Sequence, residues 1–150
     1  MDQTAAFLLT DFGREFGLPD LSLDADGYCV LKFDDIELLL HHQEAAREFL
    51  ASAVIRSLPA SPGEEFYAQL LELNHGRALH KSGVLGIDRV AKTVVYLDRW
   101  PVPDMSQQEF QERIRLLLEA IRVWRDWLAQ FETSRGSPLD PAALETMIRI

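Results

Sequence analysis

The sequence predicts an α+β fold, a mainly antiparallel twisted sheet flanked by helices in the order α-β-β-β-α-β-β-α. Three observations carry this. Apolar residues recur at helical spacing near both ends and once in the middle, whereas between those stretches they alternate with period two. The period-two runs are joined by short turn signals such as Asp26-Gly27 and Asp34-Asp35, which make hairpins and hence antiparallel neighbours. Proline and glycine mark most changes of period. A chain of 150 residues is long enough for one domain with a sizeable core.

The first helix is expected over residues 3–16, with Ala5, Leu9, Phe12 and Phe16 on one face and Phe7 off it. Gly17 supplies a left-handed cap and Pro19 ends the helix. Leu21–Leu23 then reads as a strand, Ala25-Asp26-Gly27 as a turn, and Tyr28–Phe33 as the returning strand, with Cys29, Leu31 and Phe33 on its apolar face. After Asp34-Asp35, Ile36, Leu38 and Leu40 alternate with Glu37, Leu39 and His41 in a further strand. Residues 43–47 are polar and form a connection; residues 49–58 fit a strand or a helix by pattern and are read as a strand because Pro59 and Pro62 bracket a fresh start.

Ser61-Pro62-Gly63-Glu64 has the form of a capping box with proline at the first helical position. It predicts a middle helix striped by Phe66, Leu70 and Leu73, leaving at Asn74-His75-Gly76. Strands follow at 84–90 and 93–100, with a turn near Ala91-Lys92. Ser106-Gln107-Gln108-Glu109 is a second capping box and opens a long helix. Residues 1–135 are expected to form the domain. Residues 136–150 are expected to form a tail, in which Asp140-Pro141 caps a short helix carrying Leu144, Met147 and Ile148.

The net charge is −9, from 15 Lys+Arg against 24 Asp+Glu. A phosphate backbone or an anionic bilayer meets a repulsive average field, so nucleic acid and membrane insertion are expected to be absent from its partners. The N-terminus has an acid where a signal peptide carries a basic region, and no apolar run approaches the roughly 20 residues that span a bilayer. One cysteine permits no intrachain disulfide, which suits a cytoplasmic location.

Chemistry is hard to find. There is no phosphate-binding glycine loop, no nucleophile elbow and no paired zinc-ligand motif. His41 and His42 are adjacent on a strand and point to opposite faces, so they do not share a metal ion. Cys29, on the apolar side of its strand, is expected to be an inert buried thiol. No catalytic, cofactor-binding or metal-ligating residue is expected.

The long helix is apolar on two sides. Phe110, Ile114, Leu117, Leu118, Ile121, Trp124, Leu128 and Phe131 form one broad face, which covers the sheet. Leu116, Val123 and Trp127 fall on another side. This second stripe is covered either by the short terminal helix folding back or by a second protein.

The stretches LPDLSLDADGYCVLKFDD with IELLL, then LLELNHGRALHKSGVLGIDRVAKTVVYLDRWP, and the terminal helix with WRDWL carry a family resemblance. Over about residues 3–131 the chain resembles the small, acidic, homodimeric chaperones of bacterial type III secretion that serve individual effectors, the Tir-chaperone-like class. The resemblance implies a cytoplasmic protein without ATPase activity or cofactor. It implies dimerisation through the middle helix and a neighbouring strand, here Phe66, Leu70, Leu73 and Val94, Val95, Tyr96, Leu97. It also implies that an effector's N-terminal region wraps around the protein in extended form. Leu21, Leu23, Leu31, Phe33, Leu38 and Leu40 would offer one such surface, with Leu116, Val123 and Trp127 as a further partner surface. Two other readings stay open: a module that sequesters a secretion or transcription regulator, and a small ligand-binding or enzymatic α+β domain.

Overall fold

The structure is a computed structural model and describes residues 3–80, 82–133 and 147–148. Its elements run α1 (Gln3–Glu15), β1 (Tyr28–Phe33), β2 (Ile36–Gln43), β3 (Glu48–Ser57), α2 (Glu64–Leu79), β4 (Val84–Asp88), β5 (Thr93–Pro101) and α3 (Gln107–Thr133). The α+β class and the order α-β-β-β-α-β-β-α are those observed, without the additional short strand expected at Leu21–Leu23, in a five-stranded antiparallel sheet with strand order β1-β2-β3-β5-β4 and three helices. The chain forms two compact units. One comprises Met1–Ala53 with Asp98–Arg115, the other Val54–Leu97 with Leu116–Ile150.

In the first unit, β1 and β2 form a hairpin in register from Tyr28↔His41 to Phe33↔Ile36, closed by the two-residue turn Asp34-Asp35. Asp34 takes a left-handed φ of 53°, as such tight hairpins require. Leu38↔Ala53 to Gln43↔Glu48 pairs β2 with β3. Phe110 of α3 is the hub of the core, edge-on to Phe12 at 5.7 Å and to Trp100 at 6.2 Å, and tilted against Phe49 at 5.9 Å. The predicted capping box at its helix is formed: Ser106 Oγ accepts from Glu109 N at 3.2 Å, and Glu109 Oε2 accepts from Ser106 N at 2.8 Å. Ser106 Oγ also donates to Glu109 Oε2 at 3.0 Å, and the two bonds from Ser106 to that carboxyl, the backbone one first, hold it below the usual carboxylate range.

Two expectations in this unit are corrected. Leu21–Leu23 is not a strand. Leu18 N donates to Gly13 O and Leu21 N to Leu18 O, which folds the chain back on α1, where buried Gly13 leaves room for Leu21. The Asp24 carboxylate then accepts from Asp26 N and Tyr28 N, so the turn leads into β1 without a preceding partner strand. Phe16 lies beyond the end of α1 and is exposed, resting on Phe12 at 4.5 Å. Gly17 has the expected left-handed φ, 72°.

In the second unit, Phe66 stacks on Trp127 at 6.1 Å, and Phe131 meets both rings edge-on. Trp124 stacks on Tyr96 at 5.3 Å. β4 pairs with β5 from Val84↔Leu97 to Asp88↔Thr93. It ends at Asp88, two residues before the expected end, because the Asp88 carboxylate accepts from Val90 N and Ala91 N and draws the chain into the turn.

The capping box predicted at Ser61 does not form. Gly63 occupies the cap position with no side-chain hydrogen bond, and Pro62 stays outside the helix. Glu64 and Glu65 in the first turn complement the helix dipole instead. Nor does the helix leave at Gly76. It continues to Leu79, because Gly76 and Arg77 are buried inside it. Of the expected tail helix, Met147 and Ile148 are helical, and the remainder, with Gly136, Asp140 and Leu144, falls outside the described residues.

Candidate interaction surfaces

Alternation decides which strand residues reach the surface. On β1 and β2 the residues Cys29, Leu31, Ile36, Leu38 and Leu40 point into the core, whereas Tyr28, Val30 and Glu37 point out. Leu31, Leu38 and Leu40, assigned from sequence to a partner surface, therefore lie in the protein's own core. Leu21, Leu23 and Phe33 are half-buried. The apolar groups this unit leaves to solvent are Phe7, Phe16, Leu18, Tyr28 and Val30, with Phe7 the most exposed at 61%. β1 is an edge strand with a single neighbour in the sheet, so it presents backbone groups as well as side chains.

In the second unit the same displacement occurs on α2 but not along all of β5. Phe66, Leu70 and Leu73 form the buried face of α2, and Val94 and Tyr96 the buried face of β5. On α2 the outward residues are their neighbours Tyr67 and Leu71, whereas on β5 two of the residues named from sequence face out or partly out, Leu97 exposed and Val95 half-buried. Leu71 is 69% exposed, and Leu97 pairs in register with exposed Val84. On α3, Trp127 is 2% exposed and its indole N–H reaches Gln69 Oε1 at 3.4 Å, so the residue singled out as a partner contact is enclosed by α2. Leu116 and Val123 are half-buried.

β4 is the other edge of the sheet, and its edge is occupied at Leu85. The Asn74 side chain donates to Leu85 O at 2.7 Å and accepts from Leu85 N at 2.9 Å, substituting for a neighbouring strand. A cleft of about 610 Å³ near the start of α2 is lined by Leu58, Pro59, Tyr67 and Ile87, with Arg89 and Lys92 alongside.

The polar groups weighed from sequence take up structural positions. His41 stacks on Tyr28 at 4.1 Å, and His42 lies buried edge-on to Phe49. Burial, with the charge of Asp24 adding to it, pushes the Cys29 thiol up to about 11, far from a reactive thiolate. Among the described residues no group of three or more His, Cys, Asp or Glu is gathered for a metal ion, and no helix is long and apolar enough to cross a membrane.

The family model of the Tir chaperone protein (CesT) family matches residues 7–125. The chain belongs to this family. The resemblance drawn from the sequence is thereby borne out. Among solved structures, this CesT-family chain is similar to the ExsC-ExsE complex, with a TM-score of 0.72 and 25% identity over 85% of this chain and 97% of that one. It is similar to the HopA1-SchA chaperone-effector complex, with a TM-score of 0.70 and 23% identity over 82% and 94%. The Yersinia pestis type III secretion chaperone SycH, solved with a fragment of YscM2, shares the fold with a TM-score of 0.59 and 16% identity over 77% and 95%. No curated protein sequence matches the chain.

Proposed function

We propose that this family member is an effector chaperone of type III secretion. It binds the N-terminal region of a secreted protein and keeps it soluble, partly extended and competent for export, in the cytoplasm and without ATP, cofactor or catalysis. Membership of the CesT family over residues 7–125 carries this reading. The similar solved structures include chaperone-effector complexes.

The physical basis is leftover surface. An extended client adds backbone hydrogen bonds at an open sheet edge and places alternate side chains in apolar recesses. The edge of β1, with Tyr28 and Val30 beside it and Phe7, Phe16 and Leu18 exposed in the same unit, supplies both. Ordering a disordered segment costs conformational entropy, so a large contact is needed. Self-association meets that need. A homodimer through Tyr67 and Leu71 of α2 and through Val84 and Leu97 of β4 and β5 would bury the apolar surface of the second unit.

Co-expression with candidate effectors is the direct test. The protein is expected to co-purify as a dimer with one effector and to raise its soluble yield. A monomer that retains no effector N-terminal region would overturn the reading.

A further inference from the structure

Arg77 is an unusual residue for the interior of a helix. It is 1% exposed, on α2, and a buried guanidinium is tolerated only when its donors meet acceptors. Arg77 Nε donates to Gly83 O, and Nη1 donates to Met147 O at 2.9 Å. The guanidinium carbon lies 4.6 Å from the centre of the Trp124 ring and 5.8 Å from that of Tyr96, which adds cation–π attraction. One of its carbonyl partners therefore comes from a segment 70 residues downstream.

The residue beside it points to the same segment. Gly76 is in the body of α2, where glycine is a poorer choice than alanine. A Cβ there would overlap Ile148, approaching its Cγ1 to 2.7 Å and its Cδ1 more closely still. The missing side chain makes a notch, and Ile148 fills it. Met147, whose carbonyl Arg77 holds, is itself buried. The family match ends at residue 125, so this segment lies beyond the matched region.

We propose that Gly76 and Arg77 form a docking notch for a short apolar helical segment, and that its resident occupant is the chain's own Met147-Ile148. Met147-Ile148 is thereby a strap across α2. Arginine reads a main-chain carbonyl, and glycine admits one β-branched side chain. The strap leaves Tyr67 and Leu71 uncovered, since they lie on another side of α2.

A double-mutant cycle in the full chain tests this, with Gly76→Ala, Ile148→Ala and the pair compared by thermal unfolding and by amide hydrogen exchange at residues 147 and 148. Alanine in an unobstructed helix interior raises Tm by roughly 2–4 °C in a chain of this size. The strap predicts no such rise for Gly76→Ala alone, with exchange at 147 and 148 at least about tenfold faster as the notch is filled. With Ile148→Ala already in place, Gly76→Ala is expected to give the full rise. Equal stabilisation in both backgrounds would overturn the proposal. So would amides at 147 and 148 that exchange in the wild-type protein as fast as in an unfolded chain.

Discussion

The two edges of the sheet differ in a way that side-chain hydrophobicity does not reveal. At β4, Asn74 reaches from α2 and satisfies both the N–H and the C=O of Leu85. At β1, Asp24 takes both backbone groups of Tyr28, accepting from its N–H and donating to its C=O, but beyond Tyr28 the strand has no second neighbour in the sheet order, and Val30 is exposed there. An open edge is a liability that proteins normally suppress. On the proposed function this difference separates two tasks: the β1 edge beyond Tyr28 would serve an extended client, and the second unit would offer side-chain surface for self-association.

Breaking the cores gives the largest effects and tests whether the two units are equally closed. Phe110→Ala in the first unit and Trp127→Ala in the second are each expected to cost about 3–5 kcal/mol in chemical denaturation. A near-neutral Trp127→Ala would return that residue to the surface and revive its reading as a partner contact. Asn74→Ala acts on the contrast itself. It strips both polar groups of Leu85 of their partner, at a cost of about 1–3 kcal/mol, and opens the second edge. Sedimentation is expected to show concentration-dependent association beyond that of the wild type.

Ser106→Ala removes one half of the capping box and is expected to cost about 1 kcal/mol at neutral pH. The lost hydroxyl also donates to Glu109 Oε2, and that bond has a pH signature. The folded Glu109 carboxyl binds its proton less tightly than in the unfolded chain. Its contribution is thus complete above the ordinary carboxylate range and lost as pH falls through the lowered folded value. The difference between wild type and Ser106→Ala should therefore shrink in acid, as measured by denaturation across pH. Surface changes come last. Val30→Lys and Leu71→Asp should each leave stability within about 0.5 kcal/mol. They are expected to differ in consequence, Val30→Lys weakening client capture and Leu71→Asp splitting the dimer, as read by co-purification and sedimentation.

Most of the fold was legible because local signals and tertiary structure agreed. The Asp34-Asp35 hairpin, the capping box at Ser106 and every strand carry both period and punctuation. The signals at Leu21–Leu23, Ser61 and Gly76 failed for tertiary reasons. Leu21 is drawn back to Gly13, the cap of α2 moves to Gly63, and Gly76 serves a packing contact inside the helix where an exit was expected. On β1, β2 and α2 the candidate surfaces were read one position out of phase, whereas Leu97 of β5 is exposed as named. Alternation separates Leu31 and Leu38 from Val30 and Leu39, and Phe66 and Leu70 from Tyr67 and Leu71. When both faces carry apolar residues, only the packed helices show which one is inside. Trp127 followed the same logic: it stands on the second apolar side of α3 and α2 covers it.

The central claim is that an extended client engages the open edge and exposed apolar groups of the first unit. Hydrogen exchange of the protein with and without a bound effector N-terminal segment tests it most directly. The account predicts new protection at β1 and around residues 7–18, with α2 unchanged at Tyr67 and Leu71. Protection confined to α2 and β5, with β1 exchanging as freely as before, would contradict it.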